Sequence, residues 1–271
     1  MAFYEEEIKL WDDLPPFSQP GDRQRKEYLT EESADGIERL TNVSSPTLTF
    51  YPCSGGGPLE QRSHPAVLVC PGGAYSILAR NHEGRDICFM LNRNGFSAFL
   101  LKYRCPDRRN GAHADAARAI RLIRAKARYF GIDPQKVGAI GFSAGAHLCA
   151  TITAPANDVP YPPKDSVDLQ SFRPDFSAMI YPAYLADDAL NLAPEFKVDA
   201  DCPPCLLIQC ENDPVHVENS IAWFLAMKRA ERPVEMHIWP TGGHGFGLLK
   251  KNAPCDNWDN LAAEWFCRQI E

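Results

Sequence analysis

The stretch "VGAIGFSAGAHLCA" (137–150) decides the fold. It begins as an apolar run, passes through small residues and places the hydroxyl of Ser143 between Gly141 and Gly145. An apolar run that tightens into glycines before a second apolar segment predicts a strand that turns sharply into a helix. A serine on such a turn either follows from tight packing or holds its hydroxyl out for chemistry.

Apolar runs and amphipathic segments alternate on both sides of this stretch. Strands are predicted at 47–51, 66–70, 96–104, 137–141, 177–181, 205–210 and 234–239, and helices at 84–95, 113–134, about 217–230 and around 258–265. This alternation predicts an α/β fold, with a mostly parallel, twisted sheet of about eight strands and helices on both faces. Residues 1–35 are polar and rich in proline, and we expect an N-terminal surface segment there and a single domain over 36–271.

Three of the helices carry predictions about which face is buried. In the helix at 113–134, Gly131 suits the C-cap and the arginines are expected on a solvated, salt-bridged face, with anion binding as the alternative. The arginines concerned are Arg118, Arg121 and Arg128, and the apolar stripe opposite them is Ala117, Ile120, Ile123 and Ala127. The inward residues predicted for the next helix are Val217, Ile221, Phe224 and Leu225, and for the last helix Trp258, Leu261 and Trp265.

Composition excludes several classes of function. The 271 residues carry a net charge of −7, which argues against a nucleic-acid partner and does not favour anionic membranes or anionic substrates. No stretch approaches the roughly 20 apolar residues of a membrane span. The acidic N-terminus lacks the basic start and apolar core of a secretory signal, so we expect a cytoplasmic protein if Met1 is the natural start.

The ten cysteines are scattered along the chain, and several of them lie in apolar runs. This pattern predicts free, buried thiols in a reducing compartment. Cys202 and Cys205 have the CxxC spacing of a zinc or redox half-site, but no second pair with matching spacing is present.

The candidate catalytic groups follow the ends of predicted strands, where ligands of a parallel sheet bind. Ser143 is central in a G-x-S-x-G motif between a strand and a helix, the context that exposes a nucleophilic hydroxyl. His244, in the glycine-rich loop "PTGGHGFG" (240–247), is the candidate base, and His82 is the alternative. Asp213 comes directly after the strand "CLLIQC" and is the candidate acid that orients the imidazole.

Other interpretations of the acid remain open at this point. Asp187 and Asp188 follow the preceding strand and are the alternative carboxylates. Asp213 itself precedes a proline, so it also fits an Asx turn or a helix N-cap.

Acyl transfer further requires hydrogen-bond donors for an oxyanion. The loop after the strand in "VLVCPGGAY" (67–75) predicts the backbone N–H groups of Gly72 and Gly73 as donors, together with that of Ala144. Ala74 is a further candidate, and an ordinary Gly-Gly turn is the alternative.

The motifs together resemble those of a known group of proteins. "VLVCPGGAYSILARNHEG" (67–84), "IGFSAGAHL" (140–148), "CPPCLLIQCENDPV" (202–215) and "HIWPTGGHGFGL" (237–248) are similar to the α/β-hydrolase superfamily. Within it, the resemblance is to the small bacterial acetyl-esterase branch associated with acetylated xylan, near the hormone-sensitive-lipase-like esterases. The order Ser143, Asp213, His244 is the order of that superfamily. Ala74 and Ala146 stand where the family usually has glycine.

The resemblance implies a serine carboxylesterase that removes short acyl groups, acetyl above all, from a carbohydrate without metal or organic cofactor. Residues 182–201 are too few for a large lid, which predicts an open cleft for small acyl groups on bulky polar alcohols. The residues expected to line the alcohol side are Ala74, Tyr75, Asn81, His82 and Glu83, with helix capping as the alternative role for Glu83. The partner expected is a small-molecule or oligosaccharide ester. A peptidase or amidase, or a binding protein on an inactive hydrolase scaffold, are the other possible functions.

Overall fold

The computed structural model describes residues 6–30, 34–53, 63–157 and 160–271. The strands in these residues are β1 (Glu6–Lys9), β2 (Tyr28–Leu29), β3 (Arg39–Thr41), β4 (Thr47–Tyr51), β5 (His64–Cys70), β6 (Leu78–Ala79), β7 (Ser97–Lys102), β8 (Ile132–Phe142), β9 (Ser177–Ile180), β10 (Cys205–Cys210) and β11 (Val234–Trp239). The helices are α1 (Asp86–Arg93), α2 (Arg109–Ala125), α3 (Ala127–Phe130), α4 (Ala144–Thr153), α5 (Glu218–Arg229) and α6 (Trp258–Arg268). A π-helical turn (Asn81–Arg85) precedes α1, and short 3₁₀ turns lie at Asp22–Gln24, Ser166–Leu169 and Pro254–Asn257.

Eight of the strands form one sheet in the order β1-β4-β7-β5-β8-β9-β10-β11. In that order, the six strands from β7 to β11 are parallel to one another. At the other edge, β4 is antiparallel to β7, and β1 is antiparallel to β4. A small antiparallel sheet, β2-β3-β6, lies apart from it. The predicted α/β fold with a mostly parallel sheet is confirmed.

Successive side chains of the central strands alternate between the two faces of the sheet, so one sheet contributes to a hydrophobic core on each face. In β5, Leu68 and Cys70 contribute to the core that contains α2 and α4, whereas Val67 and Val69 contribute to the core beneath α1 and α6. Successive side chains of a strand point to opposite faces, so an uninterrupted apolar run buries both faces at once. The continuous runs of the sequence therefore correspond to strands that are covered by helices on either side.

The N-terminal segment is part of this architecture, which corrects the prediction of a surface segment over residues 1–35. β1 adds to the sheet beside β4, and Leu10 and Trp11 are buried in the first core. The Trp11 indole N–H donates to Asp115 Oδ1 at 2.8 Å. Two large apolar side chains in an otherwise polar segment were the signal that pointed to this anchoring.

The arginine face of α2 is also different from the prediction. The helix at 113–134 is divided at Lys126 into α2 and α3, and Gly131 caps α3 with φ 66°. Arg118 and Arg121 are buried, and only Arg128 is exposed as expected. The residues around 160–172 fold over the helix, where Asp165 and Asp168 lie 2.5 Å and 2.9 Å from the Arg118 guanidinium.

Two inward-facing stripes are shifted from their predicted positions. In α5 the buried residues are Asn219, Ser220, Ala222, Trp223 and Met227, whereas Val217, Ile221, Phe224 and Leu225 are only partly buried. In α6 Ala262 and Phe266 accompany Trp258 and Trp265 inside, and Leu261 is partly exposed. The bulkiest apolar side chain turns the helix toward the core, so Trp223 sets the buried face of α5.

All ten thiols are free, and nine of them are buried, as the cysteine pattern predicts. In the described residues, no group of three or more His, Cys, Asp or Glu side chains is arranged around Cys202 and Cys205 to hold a metal ion. No helix in the described residues combines the length and apolarity that crossing a membrane requires.

Candidate active site

Ser143 lies at the turn between β8 and α4, above the carboxyl end of the sheet. Its backbone has φ 53° and ψ −117°, a conformation that is strained for a residue with a side chain. A Cβ atom at Gly141 would lie 2.1 Å from the Gly145 carbonyl oxygen, and one at Gly145 would lie 2.1 Å from the Cys70 carbonyl oxygen. Both glycines are therefore required by the close approach of strand and helix, and this packing holds Ser143 in its strained conformation.

The structure brings together the three residues proposed as a triad. His244 Nε2 lies 2.9 Å from Ser143 Oγ, and His244 Nδ1 lies 2.8 Å from Asp213 Oδ2. The Asp213 side chain is fully buried, while the His244 side chain keeps 23% of its surface exposed. A carboxylate accepts only, so Nδ1 carries the proton and Nε2 is left to accept from the serine hydroxyl.

The Asp213 carboxylate accepts from two donors in addition to His244. The Val215 N–H donates to Oδ1 at 2.7 Å, and Gln209 Nε2 donates to Oδ2 at 3.2 Å. The Ser220 hydroxyl, on α5, donates to Gln209 Oε1 and fixes the amide in turn. Oδ1 of Asp213 forms the Asx turn and Oδ2 contacts the imidazole, so the turn and the contact that a triad requires are both present.

The alternative candidates lie elsewhere. His82 Nε2 contacts the Gly245 carbonyl oxygen at 2.9 Å, so the imidazole packs beneath the loop that carries His244. Asp187 accepts from the N–H groups of Ala189 and Asn191 within its own turn. Neither residue has a hydrogen bond to His244 or Ser143 among the described parts of the chain.

The loop after β5 lies against Ser143, but one of its predicted donors is engaged. The Gly72 N–H donates to Glu83 Oε2 at 2.8 Å, and it is therefore not free to bind an oxyanion. This corrects the prediction for Gly72. The N–H groups of Gly73 and Ala144 have no hydrogen-bond acceptor within residues 6–30, 34–53, 63–157 and 160–271, and they are the candidate donors that remain.

The Glu83 carboxylate joins this loop to the loop that carries His244. Its second oxygen, Oε1, accepts from the Tyr181 hydroxyl at 2.7 Å, and that hydroxyl accepts from the Gly247 N–H at 3.2 Å. Burial, reinforced by the Glu83 charge, raises the pKa of Tyr181 well above its ordinary value, so the phenol stays protonated and donates. The Tyr181 ring also packs edge-on against the His244 ring, with 5.0 Å between centroids.

A second set of contacts holds the other side of the loop. The Tyr75 hydroxyl lies 2.7 Å from His147 Nδ1, and His147 Nε2 lies 3.1 Å from Glu195 Oε1. Burial, and then the charge of Arg109, lower the pKa of His147 to about 3. The imidazole is therefore neutral at pH 7; its Nε2–H donates to Glu195 and its Nδ1 accepts from Tyr75.

These contacts change the predicted roles of the residues after the loop. His82 and Glu83 are buried and form hydrogen bonds within the protein, which argues against a role as substrate contacts. Tyr75 is buried as well, and its place on the alcohol side stays a prediction. Glu83 forms no side-chain hydrogen bond that caps α1. Ala74 is exposed and can still meet a substrate. Backbone φ is positive at three successive residues, 131° at Gly73, 54° at Ala74 and 59° at Tyr75, which makes the loop strained as well as anchored.

Known proteins share the fold and part of the sequence of this chain. The family model BD-FAE matches residues 57–172, and the model of the prolyl oligopeptidase family matches residues 170–271. The crystal structure of an acetyl ester-xyloside bifunctional hydrolase from Caldicellulosiruptor lactoaceticus has a TM-score of 0.79 and 28% sequence identity, over 97% of this chain and 96% of that one. The acetylxylan esterase of Xylanibacter ruminicola is 31% identical over 216 residues, which cover 70% of this chain and 42% of that protein.

The chain has the α/β-hydrolase fold, and the proteins it is similar to include esterases of that superfamily. This confirms the resemblance found in the sequence. The endo-1,4-beta-xylanase B of Butyrivibrio fibrisolvens is a further relative of this α/β-hydrolase, 31% identical over 66% of this chain and 32% of that protein. The chain thus spans less than half of the length of the two curated relatives named here.

Sequence reasoning missed two supporting residues of this α/β-hydrolase. Tyr181 follows β9 directly, so its position at the carboxyl end of a parallel strand was a usable signal. His147 lies one turn after Ser143 on α4, and this spacing brings both residues to the same side of the helix. The sequence therefore contained a usable signal for His147 as well. The partners that make them useful, Glu83 and Glu195, are distant in the chain and carried no comparable signal.

Proposed function

We propose that this protein is a serine carboxylesterase that removes short acyl groups, acetyl in particular, from carbohydrate alcohols. The observation that carries the proposal is the chain of contacts from Ser143 Oγ through His244 to Asp213, at 2.9 Å and 2.8 Å. A serine hydroxyl is a weak nucleophile alone, and an imidazole within hydrogen-bond reach, itself oriented by a buried carboxylate, is what activates it.

The reaction proceeds in two steps. Ser143 Oγ attacks the ester carbonyl carbon while its proton passes to His244 Nε2, and the resulting tetrahedral intermediate carries a negative oxygen. His244 then gives the proton to the departing alcohol, which leaves an acyl group on Ser143. Water, deprotonated by the same imidazole, attacks this acyl group and releases the acid. The buried Asp213 carboxylate stabilises the imidazolium in both steps.

The N–H groups of Gly73 and Ala144 are the proposed donors to the negative oxygen. Ala144 is the first residue of α4, so the helix N-terminus adds a favourable potential at this point. A single such donor is worth about 3 kcal/mol of transition-state stabilisation in enzymes of this kind. Gly72 supports the site differently, because its N–H anchors the loop to Glu83.

The substrate class rests on the relatives and on the shape of the cleft. The relatives include an acetylxylan esterase and an acetyl ester-xyloside hydrolase. In the described chain, no helix or strand lies between β9 and β10, so only loops cover the site on that side. An open cleft of this kind suits a small acyl group on a large, hydrated alcohol.

The deciding experiment measures acetate released from acetylated xylo-oligosaccharides, beside the same assay on p-nitrophenyl acetate. Ser143→Ala should lower kcat by about 10⁴-fold or more on both substrates. Labelling of Ser143 by a fluorophosphonate probe reports the nucleophile independently of substrate. Hydrolysis of p-nitrophenyl esters of long acyl chains alone would contradict the carbohydrate acetyl ester and leave an esterase; failure of both hydrolysis and labelling would indicate a binding protein.

A second candidate, amide hydrolysis, is favoured by the match of the prolyl oligopeptidase family model to residues 170–271, which contain Asp213 and His244. An aminoacyl p-nitroanilide distinguishes the two activities. We expect kcat/KM for p-nitrophenyl acetate to exceed that for the anilide, and the opposite order would favour the amidase.

A further inference from the structure

Arg109, the first residue of α2, differs from its neighbours in having no anionic partner. The described residues offer no hydrogen bond or ion pair to its guanidinium, and the residue is exposed. The nearby arginines that do have carboxylate partners are Arg104 with Asp115, Arg108 with Asp22, Arg118 with Asp165 and Asp168, and Arg124 with Asp175. Arg109 is thus an unpaired cation beside several paired arginines, and its N–H groups are available to a ligand from outside the chain.

Two tyrosine rings hold the Arg109 guanidinium in place. Its carbon lies 4.8 Å from the centroid of Tyr75 and 5.0 Å from that of Tyr184. Aromatic contacts of this kind stabilise a guanidinium through its faces, whereas its N–H groups lie in its plane. The contacts therefore restrict the position of the group, and since no described acceptor takes its N–H groups, these can bind a carboxylate in a bidentate manner.

Both rings come from segments that flank Ser143. Tyr75 ends the run of strained residues that begins at Gly73. Tyr184 follows Ala183, whose N–H contacts the Ser143 carbonyl oxygen at 3.3 Å. Arg109 thus lies where two walls of the candidate active site meet.

A groove leads from this position along the start of α2. It has a volume of about 410 Å³, and Arg109 lines it together with the exposed Ala74. Its other polar residues include Asn110 and the exposed Asp107. The Glu195 carboxylate is committed to His147, so it does not neutralise the guanidinium by a direct contact.

We propose that Arg109 determines specificity by binding a carboxylate on the alcohol portion of the ester. This inference rests on the proposed function. The acetyl group is too small to extend beyond the oxyanion loop, so a group that reaches the groove must belong to the alcohol. The net charge of −7 disfavours anionic substrates over the surface as a whole, and Arg109 reverses that preference locally.

The test compares two acetyl esters of the same shape, 3-acetoxybenzoate and neutral 3-acetoxybenzamide. Selectivity is the ratio of their kcat/KM values, measured for the wild type, Arg109→Gln, Arg109→Lys and the control Arg128→Gln, which alters an exposed arginine on α3. We expect Arg109→Gln to lower the ratio by about five- to tenfold, because a charge-assisted pair is lost. Arg109→Lys keeps the charge without the planar fork and should lower it less, and Arg128→Gln should leave it unchanged.

The dependence of selectivity on salt and the affinity of the products test the contact between Arg109 and the carboxylate in two further ways. Added salt should lower the wild-type ratio and leave the ratio of Arg109→Gln unaffected, because screening acts on the charged pair. Calorimetry on Ser143→Ala and Ser143→Ala/Arg109→Gln compares the affinity of 3-hydroxybenzoate with that of 3-hydroxybenzamide. This measurement reports binding of the carboxylate without any catalytic step.

The outcomes separate the two proposals. Equal selectivity and equal product affinity with and without Arg109 would overturn this inference, whatever the esterase activity. If the wild type hydrolyses neither ester but binds 3-hydroxybenzoate in an Arg109-dependent manner, the carboxylate site stands and the proposed esterase function fails. Thermal unfolding of each variant shows whether the exposed substitutions leave the fold intact.

Discussion

The turn that carries Ser143 and the loop that carries Gly73 both have strained backbone beside the same candidate active site, but they are held by different means. The Ser143 turn is fixed by backbone packing, since Gly141 and Gly145 allow strand and helix to touch. The Gly73 loop is fixed by side chains from elsewhere in the chain, Glu83 on one side and His147 through Tyr75 on the other. Local strain can thus be maintained by close packing or by a remote hydrogen-bond network, and the two should fail differently.

The packing of the Ser143 turn is broken most directly by Gly145→Ala. The added Cβ would lie 2.1 Å from the Cys70 carbonyl oxygen, so strand and helix must separate. We expect a loss of more than about 4 kcal/mol of unfolding free energy, together with loss of activity. Denaturant unfolding measures the first and p-nitrophenyl acetate hydrolysis the second.

A matched control for that substitution is Gly95→Ala. Gly95 has φ 84°, but none of the described residues places an atom within 4 Å of an added Cβ, so only the backbone conformation is penalised. We expect about 1 kcal/mol of destabilisation and normal activity. If both substitutions cost the same, close packing at Gly145 is not what holds the turn.

The hydrogen-bond network of the Gly73 loop is tested by Glu83→Gln. The two carboxylate oxygens of Glu83 accept from Gly72 and Tyr181, and in glutamine one of them is replaced by a nitrogen that can only donate. One buried donor therefore loses its acceptor, which costs about 1–3 kcal/mol. We expect kcat to fall by about 10- to 100-fold with a smaller change in KM, since the loop acts on the transition state. The affinity of a trifluoromethyl ketone should fall in parallel.

The control for Glu83 is Glu264→Gln, on the exposed side of α6. It should leave kcat and inhibitor affinity unchanged. If Glu83→Gln lowers stability but leaves kcat and ketone affinity at wild-type values, Glu83 has only a structural role.

The His147 side of the network predicts a dependence of stability on pH. The pKa of His147 is about 3 in the folded protein and about 6.5 when unfolded, so between these values the unfolded chain binds one more proton. The stabilisation from His147 is complete above about pH 6.5, and His147 alone should lower the free energy of unfolding by about 1.4 kcal/mol per pH unit below it. His147→Gln should remove this contribution from the slope, as measured by urea unfolding between pH 4.5 and 7.5.

The smallest effect is expected for Tyr75→Phe. It removes the hydroxyl that contacts His147 at 2.7 Å but keeps the ring, and Glu83 still anchors the loop from the other side. We expect kcat to fall by about three- to tenfold, as for the loss of one hydrogen bond. Tyr28→Phe, at an exposed ring, provides the comparison. A larger loss than that of Glu83→Gln would reverse the order of the two anchors.

The two regions also differ in how far the sequence predicted them. The Ser143 turn depends on neighbours in the chain, so the apolar run and two glycines were sufficient to predict strand, turn and helix. The positions of His244 and Asp213 followed from strand ends. The loop depends on Glu83, Tyr181 and Glu195, whose contacts arise only when distant segments pack together. For the same reason, the buried Arg118 and Arg121 were predicted to be solvated, since the carboxylates that cover them lie 47 to 50 residues further along the chain.

The Tyr181 hydroxyl connects the Gly73 loop, through Glu83, to the loop that carries the proposed catalytic imidazole of His244, through Gly247. Neither loop can therefore loosen while the other keeps its geometry. A partly heat-inactivated sample should accordingly be a mixture of fully competent and fully incompetent molecules, with an unchanged KM and an active fraction that burst titration can count.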